Sequence, residues 1–122
     1  MRPLSMPDRS SDSAKIFFAD KARVMRELRD WVARLKEVRP DVEKVGLFGS
    51  YATDTYGPRS DADLLIVLRA SEKPFRDRIP DFLPECVSVP CDVFPYTTDE
   101  IERLQRDDSP WINHVLQEIT WL

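Results

Sequence analysis

Val45-Gly-Leu-Phe-Gly-Ser-Tyr51, followed by Arg59-Ser-Asp-Ala-Asp-Leu-Leu-Ile-Val67, is the stretch on which the reading of this chain turns. Lys44 to Phe48, apolar from Val45 onward, stops at Gly49-Ser50, which predicts a short strand ending in a turn. Ten residues, Tyr51 to Ser60, separate that turn from Asp61-Ala62-Asp63. Leu64 to Leu68 then reads Leu-Leu-Ile-Val-Leu, apolar at every position. A strand exposed on one side alternates polar with apolar residues, so a continuous run predicts a central strand covered on both faces.

Working outward, Val24, Leu28, Trp31, Val32, Leu35 and Val38 recur at three- and four-residue steps. This spacing predicts one long amphipathic helix from roughly Asp20 to Glu37. Arg39-Pro40 ends it, because proline disfavours helix for the residue before it. Ser71 to Leu83 has Phe75, Ile79 and Phe82 at helical spacing, but Pro80 interrupts it, which predicts a short or broken helix. A third strand is expected from about Cys86 to Phe94, with Pro90 implying an edge position or a bulge.

Two helices close the chain. Thr97 with Glu100 is a capping-box pattern, and Ser109-Pro110 places a cap residue before an N1 proline. Ile112, Val115, Leu116, Ile119 and Leu122 form the inward face of the second helix. The result is an α/β (α+β) domain with a small mixed sheet flanked by helices, expected over residues 14–122 behind a mobile leader, residues 1–13.

Composition narrows the function classes. The chain has 122 residues, the size of one domain. Its 18 Lys plus Arg against 22 Asp plus Glu give a net charge of -4, so direct nucleic-acid binding, which needs a basic surface, is not expected. A nucleotide ligand remains compatible, because a divalent metal bridges carboxylates and phosphates. No segment approaches the about 20 apolar residues of a membrane span, and the N-terminus does not read as a signal peptide. The expectation is a reduced cytoplasmic protein. Cys86 and Cys91 are five apart, which on one strand sends them to opposite faces and argues against a mutual disulfide.

Asp61 and Asp63, two apart at a strand entrance, point to one face. Paired carboxylates repel unless a cation lies between them, and magnesium, which prefers oxygen ligands, suits the place. Asp41/Glu43 and Glu100/Glu102 have the same spacing and read as solvated surface. Gly49 lets backbone approach a ligand, and free N–H groups there can hold phosphate oxygens, with the Ser50 hydroxyl as a further donor. Gly-Ser is also a common plain turn, and no Gly-Lys-Ser/Thr follows, so a P-loop is excluded. Asp92 is an isolated charge among Val87, Val89, Val93 and Phe94. It reads either as an exposed edge position or as a third carboxylate that completes a two-metal site and deprotonates a hydroxyl.

Phe48-Gly49-Ser50, the ten-residue spacer, Asp61-Ala62-Asp63 and the later Asp92 together resemble the minimal nucleotidyltransferase family of the DNA polymerase β-like superfamily. The likeness covers about residues 20–122. It implies a polymerase β-like nucleotidyltransferase fold and transfer of a nucleoside monophosphate, AMP from ATP, to a hydroxyl. Asp61, Asp63 and Asp92 would be catalytic residues and ligands of two magnesium ions, and Gly49 and Ser50 would bind the nucleotide. This form of the motif resembles the antitoxins of toxin–antitoxin systems that adenylylate a tyrosine of an all-helical HEPN-type toxin. Larger relatives that modify small molecules or tRNA ends carry an added acceptor domain.

Two other readings remain open: a non-catalytic module that binds nucleotide or partner, and a small-molecule nucleotidyltransferase completed by another subunit. His114 reads as a helical residue with no carboxylate at ligand spacing. Trp31, Trp111 and Trp121 read as core or interface, with Trp121-Leu122 suggesting a homo- or hetero-oligomer contact. Tyr51 and Arg59 flank the motif and are open to phosphate or base contact.

Overall fold

The computed structural model describes residues 9–122, with side chains from residue 21 onward. Helix α1 spans Arg9–Val38, beginning before the expected Asp20. No proline stands between Arg9 and Val38, and extending an existing helix fixes one residue per hydrogen bond gained. Of the leader expected over 1–13, residues 1–8 lie outside the described residues and 9–13 fall in α1. Val24, Leu28, Val32 and Leu35 are buried as the spacing predicts, but Val38, the last helical residue, is 73% exposed.

Among the described residues four strands form one sheet: β1 (Val42–Phe48), β2 (Ala62–Leu68), β3 (Cys91–Thr97) and β4 (Thr120–Trp121). Their spatial order is β3-β2-β1-β4. β1 runs antiparallel to both β2 and β4, while β2 and β3 are parallel, so the sheet is mixed as expected. The apolar run Leu64 to Leu68 lies at the centre and is buried throughout. On one face Leu64, Ile66 and Leu68 pack with Val24, Leu28 and Val32 of α1. On the other, Leu65 and Val67 pack with Ile101, Ile112 and Val115 of α4 (Thr98–Arg106) and α5 (Pro110–Glu118). Burying both faces removes the need for alternation.

Several expectations are corrected. The third strand begins at Cys91, not Cys86, and ends at Thr97, not Phe94. Residues 86–90 are loop, and Ser88 is tied to Glu27 of α1 by its backbone N–H and its hydroxyl. Cys86 is thus off the strand, and the opposite-face argument does not apply, although both cysteines are free. The proline within the strand is Pro95, opposite Ile66, and among the described residues β3 pairs only with β2, so a missing N–H can face outward.

Glu100, read as solvated, carries two tasks. It caps α4 with Thr97, the expected capping box, and it accepts hydrogen bonds from both terminal nitrogens of buried Arg78. Finally, α5 stops at Glu118, and residues 120–121 form β4, so Leu122 packs with the α1-side core rather than on the helix. Gly46 permits this return: a β-carbon there would overlap Ile119. The interrupted helix is as predicted, with α3 (Phe75–Arg78) passing into a 3-10 turn, Ile79–Phe82, that contains Pro80.

Candidate functional site

The sheet register assembles the predicted carboxylates. Phe48 of β1 lies opposite Asp63 of β2, and Asp63 opposite Asp92 of β3, so the three form one row across the sheet. Asp63, Leu65 and Val67 share one side of β2 by alternation, the side covered by α4 and α5, and Asp61 stands one residue before the strand, close enough for its charge to act on Asp63. Asp92 shares that side with Phe94 and Tyr96 on β3. The aromatic cluster of Phe48, Phe94, Tyr96 and Trp111 forms the apolar floor behind the row, with ring centroids 5.4–6.0 Å apart. Asp61 and Asp63 are half-buried, whereas Asp92 is exposed.

Gly49 closes the row from the β1 side. Its φ of 79° lies in the region that L side chains rarely adopt, and a β-carbon would overlap Asp63 Oδ2. Glycine is therefore required twice, by backbone shape and by the approach of a carboxylate. Its carbonyl accepts the N–H groups of Ala52 and Thr53, starting the single turn α2 (Ser50–Thr53). The Ser50 hydroxyl makes no hydrogen bond among the described residues and is half-buried at the rim. Tyr51 is 4% exposed and stacks on Tyr56 at 4.6 Å, so its ring braces the turn from within the α1-side core. Arg59 is exposed.

Glu118 is a fourth carboxylate that the sequence reading missed. It is the last residue of α5, and its Oε2 accepts the backbone N–H of Gly49 at 2.6 Å. Its other oxygen lies 3.0 Å from His114 Nε2, one helical turn earlier. This corrects the expectation that His114 lacks a carboxylate neighbour; the i,i+4 spacing of His114 and Glu118 was the available signal.

The electrostatics follow from this crowding. Burial, then the charges of Asp92, Asp61 and Glu118, push the Asp63 carboxyl from 3.8 up to about 6. Burial first and the same aspartates next raise the Cys91 thiol to about 11, so it stays protonated and inert at neutral pH. Among the described residues no Lys or Arg pairs with Asp61, Asp63 or Asp92. Nor do three or more His, Cys, Asp or Glu form a closed metal-holding group there. The donor set nevertheless suits a hard divalent cation, since it offers clustered carboxylate oxygens lacking a counter-charge, and a ligand's own oxygens can complete the shell.

The model of the nucleotidyltransferase domain family matches residues 25–115, which include Gly49, Ser50, Asp61, Asp63 and Asp92 but not Glu118. No curated protein matches the sequence. Among solved structures, a Sulfolobus solfataricus protein described as a candidate nucleotidyltransferase is 24% identical, with a TM-score of 0.57 over 70% of this chain and 78% of that one. At that identity the likeness establishes the shared fold. No helix among the described residues is long and apolar enough to cross a membrane.

Proposed function

Because the chain belongs to the nucleotidyltransferase domain family, we propose that it transfers AMP from ATP to a hydroxyl acceptor, namely a tyrosine of an all-helical HEPN-type toxin that it neutralises as antitoxin. The observation that carries the transfer reading is the row formed by Asp63 and Asp92, with the charge of Asp61, two residues earlier, acting on Asp63. It brings an Asp-x-Asp pair and a distant aspartate to one end of the sheet. The toxin partner and the cytoplasmic setting rest on the likeness of the motif to such antitoxins.

In this reading Asp61, Asp63 and Asp92 would hold magnesium, which would supply positive charge to offset that of the triphosphate. Gly49 and Ser50 seat the distal phosphates through the backbone N–H and the free hydroxyl. The exposed position of Asp92 lets a hydroxyl carried by another molecule reach it. The acceptor oxygen bonds to the α-phosphorus, its proton passes to Asp92, the α–β bridging bond breaks, and pyrophosphate leaves.

The test is to mix the protein, its helical partner, labelled ATP and magnesium, and to measure the partner's intact mass. Addition of AMP units to a tyrosine is the expected result. Tight association with no mass gain would replace this reading with that of a non-catalytic binding module.

A further inference from the structure

A carboxylate already occupies the N–H that the phosphate reading assigns to a ligand. Glu118 Oε2 lies 2.6 Å from Gly49 N in a part-buried hydrogen bond that joins residues 69 positions apart. The Glu118 side chain is only 16% exposed, so this is a built contact and not a stray surface one. The residue also sits at the C-terminal end of α5, where the helix dipole disfavours an anion, and the last turn carries no Lys or Arg to offset it. It adds a fourth negative charge to the neighbourhood of Asp61, Asp63 and Asp92. Such local penalties gather at functional positions.

We propose that Glu118 is the specificity-determining residue of the phosphate seat: its carboxylate competes for the Gly49 N–H, admitting a triphosphate charged with a divalent cation and turning away a bare polyanion. The proposal rests on Gly49 being that seat. A bare triphosphate must both displace Glu118 and face four carboxylates, whereas a cation bound with the nucleotide screens that repulsion. His114, exposed and 3.0 Å from the other Glu118 oxygen, gives the displaced side chain a partner toward solvent.

The experiment measures calorimetric affinity for inorganic tripolyphosphate and for ATP, each with chelator and with magnesium. Glu118→Gln keeps size and an acceptor oxygen but loses the charge, which weakens its hold on the N–H. It should bind both metal-free anions about tenfold more tightly, with a smaller gain in magnesium, so the magnesium effect shrinks. Glu118→Ala should move the same way. Metal-free binding by Glu118→Gln equal to or weaker than wild type, with its thermal unfolding unchanged, overturns the proposal. Gly49→Ala separates the two assignments. If it binds as wild type, the seat is elsewhere and both fall. If it loses binding while Glu118→Gln matches wild type, only the Glu118 proposal falls.

Discussion

At the end of the sheet where β2 begins, Asp61, Asp63, Asp92 and Glu118 crowd together with no Lys or Arg paired to them among the described residues. At the end where β2 leaves, Arg39 meets Asp41 at 2.8 Å, Lys73 meets Asp81 at 2.7 Å and Arg78 meets Glu100 at 2.6 Å. A cavity of about 580 Å³ opens there, bordered by Arg39, Lys73, Arg78 and Asp81, whose charges are already matched within the chain. The paired end holds α3, β3 and α4 together. The unpaired end gives up stability and, in the proposed reading, keeps oxygen donors free for a cation and its nucleotide. The same fold thus satisfies its charges at one end of the sheet and leaves them unsatisfied at the other, a contrast of the kind that functional sites carry.

The largest effect should come from the exposed member of the unpaired end. Asp92→Asn is expected to keep triphosphate affinity within a few-fold and to lower the transfer rate by about 10²–10⁴. Labelled ATP with the partner protein reads both quantities. Transfer at the wild-type rate would remove Asp92 from the site and leave the row across the sheet without chemistry.

Next in size is the paired end. Arg78→Met removes hydrogen bonds to Glu100 and to the carbonyls of Lys73 and Pro95. Because Glu100 is a third exposed, the loss should fall at the lower side of a broken buried pair, about 2–3 kcal/mol by denaturant unfolding. Nucleotide affinity should be unchanged. The Arg78 guanidinium holds the Glu100 carboxyl below its usual 4.5. The stability from this pair is therefore present above pH 4.5 and fades as pH falls through the lowered value.

Asp63→Asn inverts that sign. The wild-type carboxyl titrates near 6 rather than 3.8, so the folded ligand-free chain holds this proton more tightly than the unfolded one. Its contribution is fully present below about pH 4 and is lost as pH rises through 6. Asp63→Asn should therefore raise ligand-free stability at pH 7 by about 1–2 kcal/mol, flatten the pH 4–7 stability slope, and weaken magnesium-dependent nucleotide binding. A variant less stable than wild type at pH 7 would show that the crowding is relieved in solution. The smallest effect is expected from Ser109→Ala. Its hydroxyl caps α5 with a long 3.4 Å bond from Ile112 N, and its loss should cost about 0.5–1 kcal/mol with no change in binding.

Much of the fold was legible because its signals are local. The stripe of α1, the doubly buried β2, the capping box at Thr97 and the interrupted helix at Pro80 each depend on neighbours within a few residues. The misplaced third strand has an equally local cause. Val87 and Val89 alternate as a strand would, but the segment is spent on the Glu27–Ser88 tie rather than on the sheet. The end of α5 was overrun because Ile119 and Leu122 continue a helical spacing while packing on opposite sides of the sheet. For the candidate site, the sequence nominated Gly49, Ser50, Asp61, Asp63 and Asp92, and the register brings two of them, Asp63 and Asp92, opposite one another.

What the order of residues alone determined is what periodicity and short spacing encode: the elements, the closeness of Asp61 to Asp63, and a turn that demands glycine. The tertiary structure alone decided which distant charges meet. Glu118 reaches Gly49 across 69 positions, and Arg78 reaches Glu100 across 22, through helices whose own patterns say nothing of either partner. The physical reason is that secondary structure is set by steric and hydrogen-bonding terms within a turn or a strand pair. The charge on a neighbour acts through space, and only packing fixes which charges are neighbours.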